Sequence, residues 1–167
     1  MICSPAAAAE VILRNVSLSP LSGVEEEAFD VTPYALMVNE YFIPQMSSYK
    51  LPRKFKVAFS NNSKDTANAS IADLGFLAVK QGDKNYFKLY IGGSMGANGA
   101  ISLSYDELIE PKDVLYYVEA AIKLLIEEGD FENKSKGRMR FIVKRLGEGE
   151  FPENLQRCCS DSIVFPY

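Results

Sequence analysis

Cationic and apolar residues alternate at strand period through Leu51-Pro52-Arg53-Lys54-Phe55-Lys56-Val57-Ala58-Phe59-Ser60. At that period Lys54, Lys56, Ala58 and Ser60 share one face, and Arg53, Phe55, Val57 and Phe59 share the other. The pattern predicts a strand from Lys54 to Ser60. Upstream, Arg14 to Ser19 reads as a short strand ended by Pro20 and the Ser22-Gly23 turn. Thr32 and Pro33 then supply an N-cap and a first helical position, and Tyr34, Met37, Val38, Tyr41 and Phe42 follow at helical spacing up to Pro44. A second helix is expected over Ala67 to Leu74, capped by Asp65 or Thr66, with Gly75 at its C′ position.

The second half is more regular. Phe76 to Val79 and Phe87 to Ile91 predict a hairpin closed across Gln81 to Asn85. A glycine-rich loop follows, and Ile101, Leu103 and Tyr105 alternate as one more extended segment. Pro111 opens a helix with Val114, Val118, Ala121, Ile122 and Leu125 on one face and Gly129 at its end. A last helix is expected from Asn133 to Leu146, ended by Gly147, while Pro152 to Tyr167 shows no period. The order β-α-β-α-β-β-β-α-α predicts an α/β domain, a mixed sheet covered by helices. Neither an internal repeat nor a low-complexity linker interrupts it.

Composition narrows the function. At 167 residues, 47% hydrophobic and 24% charged, the chain is sized and composed as one ordinary soluble domain. A net charge of −4 argues against general nucleic-acid or anionic-membrane binding. No run approaches the ~20 apolar residues of a membrane span. Met1 to Glu10 lacks the basic start of a signal peptide, and its apolar run is interrupted by Pro5 and Glu10. Three cysteines, two of them adjacent at Cys158-Cys159, form no disulfide framework and suit a reducing cytoplasm. There is no histidine, which removes Ser-His-Asp and Cys-His chemistry and every His-ligated metal site.

Two constellations remain. Lys54 and Lys56 stand i, i+2 on one pleated face, roughly 7 Å apart at the backbone. Their ammonium groups either converge on a small anion or form an exposed face of a half-buried strand. Gly92-Gly93-Ser94-Met95-Gly96-Ala97-Asn98-Gly99 follows a strand but lacks the first Gly-x-Gly of a dinucleotide loop, and an alternating segment follows where a helix should open. It is either a place where backbone approaches a flat ligand closely or a hairpin tip. Lys134, Lys136, Arg138, Arg140, Lys144 and Arg145 crowd the last helix and read as a solvated basic face without an assigned site.

Several short motifs in order carry a resemblance. Arg14-Asn15-Val16, Ser19-Pro20-Leu21-Ser22-Gly23, Phe29-Asp30-Val31-Thr32-Pro33-Tyr34, Leu51-Pro52-Arg53-Lys54-Phe55-Lys56, Thr66-Ala67-Asn68-Ala69 and Gly92-Gly93 together resemble the sirohaem-containing nitrite/sulfite reductase family. The resemblance runs from Arg14 to Phe151. It implies a five-stranded mixed sheet flanked by helices over residues 14–151, with 1–13 preceding it and 152–167 as a tail. It also implies anion-binding, catalytic roles for Lys54, Lys56 and Arg14, and sirohaem contacts at Asn15, Arg53, Gly92, Gly93 and Ser94. A strand-terminal arginine paired with a carboxylate remains the other reading of Arg14.

The family's cluster-bearing repeat places cysteines after the lysine strand and after the Arg-Asn-Val strand. Here those places read Ser60-Asn61-Asn62-Ser63-Lys64-Asp65-Thr66 and Ser19-Pro20-Leu21, and a 4Fe-4S cubane needs four thiolates or near substitutes. The resemblance therefore implies the cluster-free half of a nitrite/sulfite reductase, inactive alone. It would bind sirohaem and a small oxyanion, sulfite or nitrite, and associate with itself or with a half that carries the cluster. The alternative is a non-catalytic binding or interaction domain that kept the fold without the cofactor.

Overall fold

A computed structural model describes residues 13–23, 27–42, 44, 49–95 and 99–163, with the side chains of residues 13–15, 148, 162 and 163 excepted. Cys3, the stretch Met1 to Glu10, Gly96 to Asn98 and Phe165-Pro166-Tyr167 lie outside the described residues, as do the side chains of Arg14 and Asn15. Five strands form one sheet in the order β1-β2-β3-β4-β5: Leu13–Leu18, Phe55–Ser60, Leu74–Gln81, Lys84–Ile91 and Leu103–Ile109. β1, β2 and β3 run parallel, and β4 and β5 complete the sheet antiparallel. The sheet is mixed and five-stranded, as the sequence order implies.

One face carries the core. Phe55, Val57 and Phe59 from β2, Leu74, Phe76 and Ala78 from β3, and Phe87, Leu89 and Ile91 from β4 are all buried. Phe59 and Phe76 sit opposite one another in register and stack at 4.8 Å between ring centroids. Helix α1 (Thr32–Phe42) and helix α2 (Val114–Glu128) bury Val38, Phe42, Val118, Ile122 and Leu125 in the same cluster. Each fully buried side chain of this size is worth roughly 1.5–3 kcal/mol of transfer free energy, so this face dominates stability. Alternation fails on the other face of β2, where Ala58 and Ser60 are buried too. Arg53 does not join the apolar face, because the strand starts at Phe55 and Arg53 lies exposed in the bend before it.

The expected helix over Ala67 to Leu74 is absent. Only a 3-10 turn, Ala69–Ile71, forms, and β3 already begins at Leu74. Asp65 and Asn68 both hold positive φ, 52° and 57°, which breaks any helical run through them. Gly75 is therefore a strand residue and not a helix C′. A Cβ on it would overlap the Ala69 carbonyl, because the turn lies flat against β3. At α1 the capping acceptor is Asp30, whose Oδ1 receives the Thr32 N–H at 2.9 Å, two places earlier than the spacing suggests.

Helix α3 departs most from expectation. Residues 133–138 form a turn and the helix begins at Met139. Gly147, with non-helical backbone (φ 75°, ψ −178°), breaks it where the sequence suggests an end, and a second helical run, numbered with α3, continues to Ile163. The tail without a period is helical through Ile163 and buries Phe151, Leu155, Cys158 and Cys159. No helix among the described residues is long and apolar enough to cross a membrane.

Candidate functional site

Every residue that the sequence singles out for chemistry maps to one end of the sheet. Lys54 and Lys56 bracket the start of β2, and both are exposed. In the parallel register Asn15 lies opposite Lys56 and Leu13 opposite Phe55, which puts the backbone of Arg14 and Asn15 at the same end of β1. Gly92, Gly93 and Ser94 leave the end of β4, where Ile91 pairs with Leu74 at the start of β3. The basic start of α3 closes the group. Arg138 Nη2 donates to Asp73 Oδ2 at 2.9 Å and Oδ1 at 3.1 Å, and Arg140 Nη1 donates to Ser94 Oγ at 2.9 Å. Sequence reasoning missed Arg138, Arg140 and Asp73 as members. A basic face and a lone aspartate have no local pattern that reveals which strand they will meet.

Pro52 explains why the two basic segments are neighbours. Cβ atoms on Gly129 and Gly137 would press against the Pro52 ring, so Leu51-Pro52-Arg53-Lys54 lies against the turn that carries Lys134 and Lys136. In a chain of net charge −4 this gathers exposed Arg53, Lys54, Lys56, Lys134 and Lys136 at one end of the molecule. Concentrated positive potential of that kind attracts small anions and carboxylates.

The glycines of the loop are needed by the protein itself. Gly92 has φ +82°, and a Cβ there would meet the Val143 side chain. A Cβ on Gly93 would meet Ser102 Oγ and the backbone of Ile71 and Ala72. Internal packing therefore accounts for both without any macrocycle. Ser94 is buried, and its backbone exchanges both hydrogen bonds with Ala100 across the loop.

Two cavities adjoin these residues. One of about 140 Å³ lies on the covered face of β2 and is lined by Lys56, Ala58, Ala72, Met95 and Arg138 among others. The other, of about 520 Å³, has Ile101, Phe141 and Val143 as apolar lining and Arg140 and Lys144 as cations beside Gly92. A further groove of about 750 Å³ runs along β5, but Asp106 and Glu107 line it, which disfavours an anion there. The first cavity suits a small anion and the second an amphiphilic ligand.

The opposite end of β1 and β2 holds the positions where the family's repeat carries cysteines. Five residues of strand, Lys56 to Ser60, span roughly 13 Å between the two ends. There Ser19 Oγ and Thr66 Oγ1 share a hydrogen bond of 2.6 Å. Ser60 Oγ donates to Asp65 Oδ1 at 2.5 Å, and Asp65 also accepts from the backbone N–H groups of Ala69 and Ser70 and from Ser70 Oγ. Burial pushes the Asp65 carboxyl up, but these donors outweigh it and hold it below the usual carboxylate range. Hydroxyls bonded to one another offer a cubane no soft donors. Cys158 and Cys159 lie in α3 instead, and among the described residues no group of His, Cys, Asp or Glu is placed to hold a metal ion. The described residues do not fit a 4Fe-4S cluster.

Comparison with known proteins follows the same lines. The family described as the nitrite and sulphite reductase 4Fe-4S domain matches residues 11–160. The sulfite reductase [NADPH] hemoprotein beta-component of Acidithiobacillus ferrooxidans is 25% identical over 92% of this chain and 32% of that protein. The ferredoxin–nitrite reductase of Leptolyngbya laminosa is 24% identical over 87% of this chain and 30% of its own length. The chain thus spans about a third of these relatives. A solved structure of the Mycobacterium tuberculosis NirA protein superposes with a TM-score of 0.78 at 25% identity, covering 92% of this chain and 28% of that one.

Proposed function

Because this chain belongs to the nitrite and sulphite reductase 4Fe-4S domain family, we propose that it is the cluster-free half of a sirohaem-dependent reductase, a cytoplasmic domain that presents cations to an oxyanion and a polycarboxylate macrocycle. The carrying observation is convergence. Lys54 and Lys56 on β2, the Gly92-Gly93-Ser94 loop and the basic start of α3 meet at one end of the sheet. Cations there would neutralise a sulfite or nitrite oxygen, and the lysine ammonium groups would supply protons to it. Arg53, Arg140 and Lys144 face outward or line the larger cavity and would hold the carboxylates of sirohaem, whose iron supplies the electrons when it is bound. Asn15 and Arg14 complete the set from β1.

Turnover needs electrons delivered through a cluster that this chain does not ligate. The domain alone is therefore inactive and works with a cluster-bearing half; a second copy would cover its open end but bring no cluster. A second reading, a binding domain that kept the fold without the cofactor, is favoured by one observation: the glycines of the loop are filled by the protein itself.

Sirohaem added to purified protein separates the two. A Soret band that shifts and saturates supports the reductase half, and an unchanged free-cofactor spectrum supports the second reading. The anion role is read separately, as the melting-temperature gain per added sulfite at fixed ionic strength. Replacing Lys54 and Lys56 together with Gln should abolish that gain while changing stability by no more than about 0.5 kcal/mol, as exposed substitutions do. Equal gains in both proteins would remove the lysines from the site.

A further inference from the structure

Asp73 joins three segments that look unrelated in sequence. It is buried at 1% exposure where β3 begins. Its Oδ2 accepts the backbone N–H of Lys56 at 3.1 Å, and its main-chain carbonyl accepts the N–H of Gly92 at 2.9 Å. Both carboxylate oxygens accept Arg138 Nη2, from the residue just before α3. Lysine strand, glycine loop and basic helix are thus tied to one side chain.

Arg138 has donor capacity left over. One nitrogen serves Asp73, and its Nε is buried without a hydrogen-bond partner among the described residues. That nitrogen is closed off from solvent, so the donor left for a ligand is Nη1, which makes no hydrogen bond among the described residues and belongs to a side chain 22% exposed. Arg138 and Lys56 line the same cavity of about 140 Å³, several times the ~30 Å³ share of one liquid water and suited to a small oxyanion. Two bare cations around so small a space would repel and splay apart. The carboxylate of Asp73 offsets one of the two charges and fixes both groups, Arg138 by its guanidinium and Lys56 by its backbone.

We propose that Asp73 and Arg138 form a positioning pair for the lysine strand, and that Arg138 supplies a third cationic donor, with Lys56, to the small oxyanion bound there. The proposal deepens the reading of Lys54 and Lys56 as an anion face and rests on it. Arg138 is the group that would touch the anion, and Asp73 acts through Arg138 and Lys56. The guanidinium gives the site directional N–H donors, whereas the two lysines contribute mobile point charges.

The test uses the full chain with inorganic sulfate as probe. Sulfate-dependent melting-temperature gain is measured at fixed ionic strength in wild type, Arg138→Gln, Arg138→Lys and Lys56→Gln. Backbone amide exchange of Lys56 is followed in the first three. Arg138→Gln should weaken sulfate at least tenfold and speed Lys56 exchange several-fold, and Arg138→Lys should recover part of both. A purely structural role would lower the melting temperature equally with and without sulfate. Equal sulfate gains in wild type and Arg138→Gln, with the gain lost in Lys56→Gln, would overturn Arg138's anion role and leave the lysine reading standing. No gain in wild type would sink both together. Unchanged Lys56 exchange in Arg138→Gln overturns the positioning pair whatever sulfate does.

Discussion

Asp65 shows how one carboxylate replaces a helix. Spacing marks it as a cap, and it does cap, but four donors converge on it within a 3-10 turn. Its positive φ suits Asp or Asn and few others. Asp65→Ala should therefore cost about 2–4 kcal/mol by urea unfolding, since charge-assisted bonds are lost and a strained φ remains. Asp65→Asn should cost less. The pH dependence has a definite sign. A folded pKa held below the unfolded one gives stability that is present above the ordinary carboxylate range and lost as pH falls through the depressed folded value. The difference between wild type and Asp65→Asn should accordingly shrink from pH 6 to pH 3, and a constant difference would mean that the carboxylate carries no net charge effect. Cys159 offers a second check. Burial, first of all, raises its thiol to about 11, so at pH 8 alkylation mapped to Cys159 should be slow in the native protein and fast in urea.

Helix α3 joins the site to the core. Its first turn follows Arg138 and presents Arg140, while beyond the kink at Gly147 it lays Phe151, Leu155 and Cys158 into the main hydrophobic cluster. Leu155 is fully buried, so Leu155→Ala should destabilise by about 2–5 kcal/mol in denaturant unfolding. A loss near zero would mean that this half of α3 is peripheral. The missing signal has a cause. Gly147, Gly149 and Pro152 fall where the helix restarts, and helix-breaking residues hide a 3.6-residue period. Gly75 makes the parallel case for a strand. Its role is to let the Ala69–Ile71 turn lie against β3, so Gly75→Ala should destabilise more than Gly82→Ala in the β3–β4 turn, where a Cβ meets nothing within 4 Å and only the positive φ opposes it.

For the whole molecule, the polar end and the cationic end of the sheet have separate fates. Anaerobically purified protein should contain near-zero iron and acid-labile sulfide; about four of each per chain would contradict the ligand argument. Ile101 (84% exposed) and Met95 (64%) leave apolar side chains in solvent, Ile101 in the cavity with Arg140 and Lys144 and Met95 in the small cavity with Lys56 and Arg138. Exposed apolar residues beside a cationic end are what a covering partner would bury. Sedimentation of the chain with and without a cluster-bearing half should show association that buries this end. A monomer in both conditions would remove the partner requirement.

The mixed five-stranded sheet, the β3–β4 hairpin, α2 and the lysine strand were legible from periodicity, because each buries one face and its apolar spacing repeats at 2.0 or 3.6 residues. The motifs around Lys54 and Gly92 were legible as a resemblance. Their convergence was not. Asp73 has no neighbour in sequence that predicts Lys56, Gly92 and Arg138 as its partners, since those contacts lie 17, 19 and 65 positions away. They exist because β2 and β3 pair in parallel and α3 returns to the same end of the sheet. Nor does local pattern reveal that Ser19 and Thr66 meet across the other end, or that the loop glycines are packed against Val143 and Ser102. Periodicity reports which face of an element is buried, and contacts between distant segments follow from strand order and helix docking, which depend on the energy of the whole core.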